Sequence, residues 1–124
     1  MTEKRKILLI DDTPAVLHIL VSILKNDYDM VIGINGEQGL GLAKKIVPDL
    51  IILDVVMPDM SGYDVMKALN DDDATKQIPV ILISGKSSDK DEETICALGA
   101  ADFIKKPFDA YIIKQKILTC FGAT

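Results

Sequence analysis

Five short runs of large aliphatic residues punctuate the chain, at 7–10, 30–34, 50–53, 80–83 and, more weakly, 103–104. They are nearly continuous in apolar residues rather than alternating, which is the pattern of strands covered on both faces. Between them the apolar positions recur at the helical period. Val16, Ile19, Leu20, Ile23 and Leu24 fall on one predicted buried face, with Thr13 placed to cap that helix and Pro14 in its first turn. Asn35-Gly36 has the letters of a hairpin turn. However, Leu40, Ala43, Ile46 and Val47 follow at helical spacing, and Asn35 with Gln38 makes a capping box, so a second helix is predicted there. Gly39 and Gly41 should weaken it. Ser61 with Asp64 opens a third helix ending near Asn70, and Asp71, Asp72 and Asp73 then mark a solvated loop. Residues 86–93 lead into a fourth helix, poor in large apolar residues and expected to pack least firmly. Asp109 starts a fifth, with Ala110, Ile113, Ile117 and Phe121 on one side. Strand and helix thus alternate five times, the signature of an α/β doubly wound parallel sheet with right-handed crossovers.

Bulk composition narrows the function. The 124 residues suffice for one domain, expected to span 1–124, and 48% apolar with 27% charged residues excludes a disordered chain. No apolar run approaches the roughly 18 residues of a membrane-spanning helix. Asp11-Asp12 interrupts the first apolar stretch after four residues, against a secretory signal, so a cytoplasmic protein without membrane contact is expected. A net charge of −5 argues against direct nucleic-acid binding. Cys96 and Cys120 are too few and too far apart in sequence for a disulfide framework or a zinc site, and should pack as small apolar groups.

The acids are placed where a parallel sheet binds its ligands, beyond the carboxyl ends of the strands. Asp11 and Asp12 follow the first run, Asp54 ends the third, Ser84 ends the fourth and Lys106 follows the fifth. Three converging carboxylates predict a divalent cation, and oxygen-only ligands point to Mg²⁺ or Mn²⁺. That charge makes a carboxylate tolerable at the end of the apolar run "IILD" and leaves Asp54 able to act as a nucleophile toward a phosphoryl group. Lys106 and Ser84 would take phosphoryl oxygens. Other phosphate chemistries fit less well: there is no Walker loop, "GEQGLG" lacks the dinucleotide spacing, and His18 is the only histidine.

With these motifs in hand, the chain resembles a response-regulator receiver domain over essentially its whole length. The resemblance rests on "LLIDD" at 8–12, "NGEQGL" at 35–40, "LDVVMPDMSGYD" at 53–64, "PVILISG" at 79–85, "LGAADF" at 98–103 and "FIKKPF" at 103–108. It implies a flavodoxin-like sheet of strand order 2-1-3-4-5. It implies Asp54 as the acceptor of phosphoryl from a sensor histidine kinase or a histidine phosphotransfer protein. Asp11 and Asp12, with Asp54 and the main-chain carbonyl of Val56, would hold Mg²⁺. Lys106 would contact the phosphoryl group, beside a cis Lys106–Pro107 bond. Ser84 and Phe103 would be the switch pair, remodelling the surface of the fourth helix, fifth strand and fifth helix for a downstream effector domain or protein, or for a homodimer. Such a chain catalyses its own phosphorylation and dephosphorylation only.

Phe103 stands where Tyr is frequent, so no phenolic hydroxyl serves the switched state. Val56 puts a branched apolar side chain two residues past the acceptor, where it should hinder an attacking water. Simpler roles compete at single positions. Asp12 is also suited to favouring a helix N-terminus. His18 and Lys105 should face solvent, and Tyr111 and Ile112 lie off the buried stripe of their helix. Two other function classes compete: a phosphate-independent interaction module, and a phosphohydrolase, for which a second acid and a cap over the site are lacking.

Overall fold

Five parallel strands form a single sheet in the order β2-β1-β3-β4-β5, comprising β1 (Lys6–Ile10), β2 (Asp29–Gly33), β3 (Leu50–Asp54), β4 (Val80–Ser84) and β5 (Asp102–Lys105). The computed structural model describes residues 4–85, 97–106 and 108–122. Helices α1 (Pro14–Leu24), α2 (Gly36–Ile46), α3 (Gly62–Asn70) and a C-terminal helix (Ala110–Cys120) cover the sheet. The expected fourth helix and Cys96 fall outside the described residues. Among the described residues, no helix is long and apolar enough to cross a membrane.

The continuous apolar runs are explained by two core layers. Leu8, Ile10, Ile51, Leu53 and Leu82 pack with Ala43, Val65, Met66 and Leu69 of α2 and α3. The intervening Ile7, Leu9, Leu50, Ile52, Ile81 and Ile83 turn to the opposite face, against Leu17, Leu20 and Leu24 of α1 and Ile113 and Ile117 of the C-terminal helix. Alternate side chains of one strand leave on opposite faces, so a strand buried on both sides must be apolar at every position.

The helix ends follow their capping residues with one exception. Asn35 accepts from Gln38 N, Ser61 from Asp64 N and Asp109 from Ile112 N. Gln38 Oε1 closes its side of the box on Ile34 N, one residue earlier than the standard pattern. Thr13 makes no side-chain cap; its N–H donates to Asp11 Oδ1 at 2.8 Å. Here the demands of the β1 end override the local capping preference.

Two helical stripes differ from expectation. In α1 the buried residues are Leu17, Leu20 and Leu24, and Ile19 is 48% exposed. The segment is apolar nearly all round, so periodicity alone leaves its rotation open and packing against the sheet decides it. In α2 the buried side is Gly36, Gly39 and Ala43, while Val47 is exposed and adopts a left-handed φ of 44° as the C-cap. A β-branched residue there costs about 1–2 kcal/mol. The C-terminal helix buries Ile113 and Ile117 but exposes Ala110, and Phe121 stacks at 4.4 Å under the Arg5 guanidinium. His18 and Lys105 are exposed, as are Tyr111 and Ile112. In the acidic loop Asp71 and Asp73 are exposed, but Asp72 accepts from Ala74 N and pairs with Lys44 at 3.6 Å.

Candidate functional site

Parallel register brings the chemistry-bearing residues to one edge. Asp54 aligns with Ile83 and Ser84 with Lys105, so Asp54 and Ser84 end their strands, and Lys106 follows β5, at similar heights. Asp11 lies one residue past β1 and donates its N–H to Gly33 O at 3.1 Å. Asp11, Asp54 and Ser84 are buried, whereas Asp12 is exposed at the rim. One carboxylate oxygen from each of Asp11, Asp12 and Asp54 lies within 4.8 Å of the others.

Among the described residues, a single ammonium faces this cluster. Lys106 Nζ is 3.5 Å from Asp54 Oδ2 and 4.0 Å from Asp11 Oδ2. Asp54 Oδ1 accepts weakly from Val56 N at 3.3 Å, and Asp11 Oδ1 accepts from Thr13 N. Asp11 Oδ2 is buried with no hydrogen-bond partner among the described residues. Burial pushes the Asp11 carboxyl above its ordinary range, the Thr13 N–H draws it back, the Asp54 charge raises it further and Lys106 opposes that rise. Three carboxylates against one ammonium, with one oxygen orphaned in the interior, is a donor set suited to a hard divalent cation.

Beside the acids opens a pocket of about 480 Å³ lined by Asp54, Val55, Val56, Tyr63, Ser84, Gly85 and Lys106. Its α3 wall depends on Gly62. A Cβ at that position would fall on the Asp54 carbonyl oxygen and 2.7 Å from Val55 Cα, and the Gly62 N–H donates to Val55 O. Only glycine lets the start of α3 approach the end of β3 this closely. That approach lays Tyr63 along the pocket, a residue the sequence reading passed over. Its one available signal was position, directly after a glycine in the loop following Asp54. Val56, 72% exposed, stands at the mouth.

Phe103 does not line this pocket. It is half-buried against the core on the α2 and α3 face and borders a separate hollow with Phe108, Ile112 and Lys116. The expected cis Lys106–Pro107 bond involves a residue outside those described.

Comparison with known proteins places this geometry in company. The family model for the response regulator receiver domain matches residues 7–118. Protein PilH of Pseudomonas aeruginosa is 33% identical over 113 residues, covering 90% of this chain and 93% of PilH. A probable cyclic di-GMP phosphodiesterase of Vibrio cholerae and the response regulator PleD of Caulobacter vibrioides are each 34% identical, over 91% and 90% of this chain. The chain spans only about a quarter of the length of those two relatives, 26% and 25%. Among solved structures, chemotaxis protein CheY4 of Vibrio cholerae superposes with a TM-score of 0.90 at 25% identity, covering 95% of this chain and 99% of CheY4. The signal receiver domain of a histidine kinase from Syntrophus aciditrophicus gives 0.86 at 31% identity, covering 95% and 90%.

Proposed function

The chain belongs to the response regulator receiver domain family, and from that premise we propose that it is a phosphoacceptor switch. Asp54 takes a phosphoryl group from the phosphohistidine of a sensor histidine kinase or a histidine phosphotransfer protein. The observation that carries this reading is the buried Asp54 carboxylate, held between the acidic pair and the Lys106 ammonium at 3.5 Å, on the wall of a pocket open to solvent.

An Asp54 oxygen forms the new bond to phosphorus as the bond to the histidine nitrogen breaks, and the imidazole leaves with that electron pair. Lys106 trades its carboxylate contact for a phosphoryl oxygen, and the Ser84 hydroxyl donates to another. Asp11, Asp12 and Asp54, with the main-chain carbonyl of Val56, would hold Mg²⁺, or Mn²⁺ in its place. Bound there, the cation supplies positive charge that offsets repulsion between the carboxylates and the incoming phosphoryl group. Asp11 Oδ2 is the buried acceptor still open for such a contact.

The switch follows from what Ser84 and Phe103 connect. Ser84 ends β4 beside the acceptor, and Phe103 pairs in register with Leu82 two residues earlier on that strand. Drawing Ser84 toward a phosphoryl group frees space along the β4–β5 edge. Phe103 turns inward, altering the face that β5 and the C-terminal helix present to an effector domain, a partner protein or a second copy. On this reading residues 1–124 form the receiver unit, acting in the cytoplasm and turning over no substrate except its own aspartyl phosphate.

The deciding experiment is intact mass after incubation with acetyl phosphate, with Mg²⁺ or EDTA, for wild type and Asp54→Asn. A Mg²⁺-dependent gain of one phosphoryl group, lost in the variant, is expected. No gain, together with no Mg²⁺ binding by titration, would overturn the reading in favour of a phosphate-independent interaction module.

A further inference from the structure

We propose that Asp59 is a positioning residue for this site, clamping the loop that follows Asp54 onto the first turn of α2. The inference rests on the reading of Asp54, Asp11 and Asp12 as the phosphoryl and metal site. Asp59 lies in the β3–α3 connection and is itself exposed, yet both of its oxygens are used. Oδ1 accepts from Gly36 N at 2.9 Å and Oδ2 from Glu37 N at 3.0 Å. Those donors belong to the α2 N-terminus, where first-turn N–H groups have no intrahelical partner and the helix dipole favours a negative charge. The two bonds hold the Asp59 carboxyl below its usual range.

The clamp extends into packing. A Cβ at Gly36 would lie 2.8 Å from Met60 Sδ, so the residue after Asp59 is seated directly on the start of α2. At its inner end the loop is fixed by Val56 N to Asp54 Oδ1 and by Gly62 N to Val55 O. Val56, Met57 and Pro58 are therefore held between two anchors. The other acidic loop is tied to the same connection, because Asp11 N donates to Gly33 O. Residues 33–37 line neither the carboxylate cluster nor the Asp54 pocket, yet they brace both loops that carry the acids. A metal site depends on such outer contacts to fix its inner donors.

A simple helix cap would stabilise α2 without affecting the site, and the test separates the two. Mg²⁺ affinity would be measured by calorimetric titration, and the thermal midpoint in EDTA, for wild type, Asp59→Ala, Asp59→Asn and Asp109→Ala. The last variant loses a carboxylate cap of the same kind from the C-terminal helix. Asp59→Ala is expected to weaken Mg²⁺ binding roughly tenfold. Asp59→Asn, which retains one acceptor, should fall between it and wild type, and Asp109→Ala should bind as wild type does. Unchanged Mg²⁺ affinity in Asp59→Ala, with a midpoint lowered as in Asp109→Ala, reduces Asp59 to a cap and overturns the proposal. Equal losses in the Asn and Ala variants would assign the effect to charge alone and overturn it too. Absence of Mg²⁺ binding by the wild type defeats the site reading and this inference together.

Discussion

Lys106 carries its ammonium to 3.5 Å from Oδ2 of Asp54, close enough for a strong Coulomb attraction but longer than a good charged hydrogen bond. The nitrogen is shared, since Asp11 Oδ2 lies 4.0 Å from it. Lys106 therefore offsets part of the acidic cluster and competes with any cation that the cluster binds. Lys106→Met keeps an apolar stem and removes the charge. It should destabilise the metal-free protein by about 1–2 kcal/mol, below the full cost of breaking a buried pair because water reaches the ammonium. The same change should tighten Mg²⁺ binding severalfold. Urea unfolding in EDTA and a metal titration check both signs; weaker Mg²⁺ binding would show that Lys106 supports the cation site rather than competing for it.

Asp11 makes one contribution to the pH dependence of the metal-free state, opposite in sign to that of Asp59. Its folded carboxyl titrates above the ordinary 3.8, chiefly through burial, so between 3.8 and the raised value the folded state holds more proton than the unfolded one. Stability from this group therefore falls as pH rises through that window and stays reduced at neutrality. Asp11→Asn keeps the acceptor for Thr13 N and removes the buried charge. In EDTA at pH 7 it should be more stable than wild type by about 1 kcal/mol. The gap should close near pH 4, and Mg²⁺ should stabilise the wild type more than the variant. Equal thermal midpoints at pH 7 would refute the argument.

Much of this site was legible because acids interrupt apolar runs. Asp11, Asp54 and Ser84 sit where an aliphatic residue would continue the strand, and the strand period places all three at one edge. Asn35, Ser61 and Asp109 announced their helices through capping chemistry that acts within three residues. The strand order came with the family resemblance, because periodicity does not say which strands pair. What stayed hidden depends on approach between distant segments. Thr13 holds the N-cap position of α1, but its side chain makes no cap bond and its N–H goes to Asp11, and α1 was too uniformly apolar to reveal its rotation. Tyr63 lines the pocket only because Gly62 lets α3 press on β3. Asp59 reads as one more loop acid until α2 is folded against it.

Val56 tests whether the mouth of the pocket controls the lifetime of an aspartyl phosphate. Its side chain is exposed and carries no hydrogen-bonding group. Val56→Asn would place an amide where water enters, able to orient it toward phosphorus. Loss of phosphoryl should quicken by up to about tenfold, equivalent to about 1.4 kcal/mol in the barrier. The mass of the phosphorylated protein, followed after acetyl phosphate is removed, gives the rate, and an unaltered half-life would sink the idea. Folding stability should stay within about 0.5 kcal/mol of wild type, as for other exposed substitutions.

Gly39 and Gly41, past the first turn of α2, look equivalent by propensity, each costing about 1 kcal/mol relative to alanine. Their surroundings differ. A Cβ at Gly41 meets nothing within 4 Å, so Gly41→Ala should gain the full propensity difference and stabilise the protein by about 1 kcal/mol. A Cβ at Gly39 would lie 2.6–2.8 Å from three side-chain atoms of Ile10, which is fully buried and has no free volume to retreat into. Overpacking of that kind costs about 1–3 kcal/mol, more than the helix gains. Gly39→Ala should therefore be net destabilising, by up to about 2 kcal/mol once the propensity gain is subtracted. One substitution made two positions apart on one helix is thus expected to have opposite signs in chemical denaturation. If both variants were more stable than wild type, α2 would be free to move off β1, and Gly39 would not be what sets that contact.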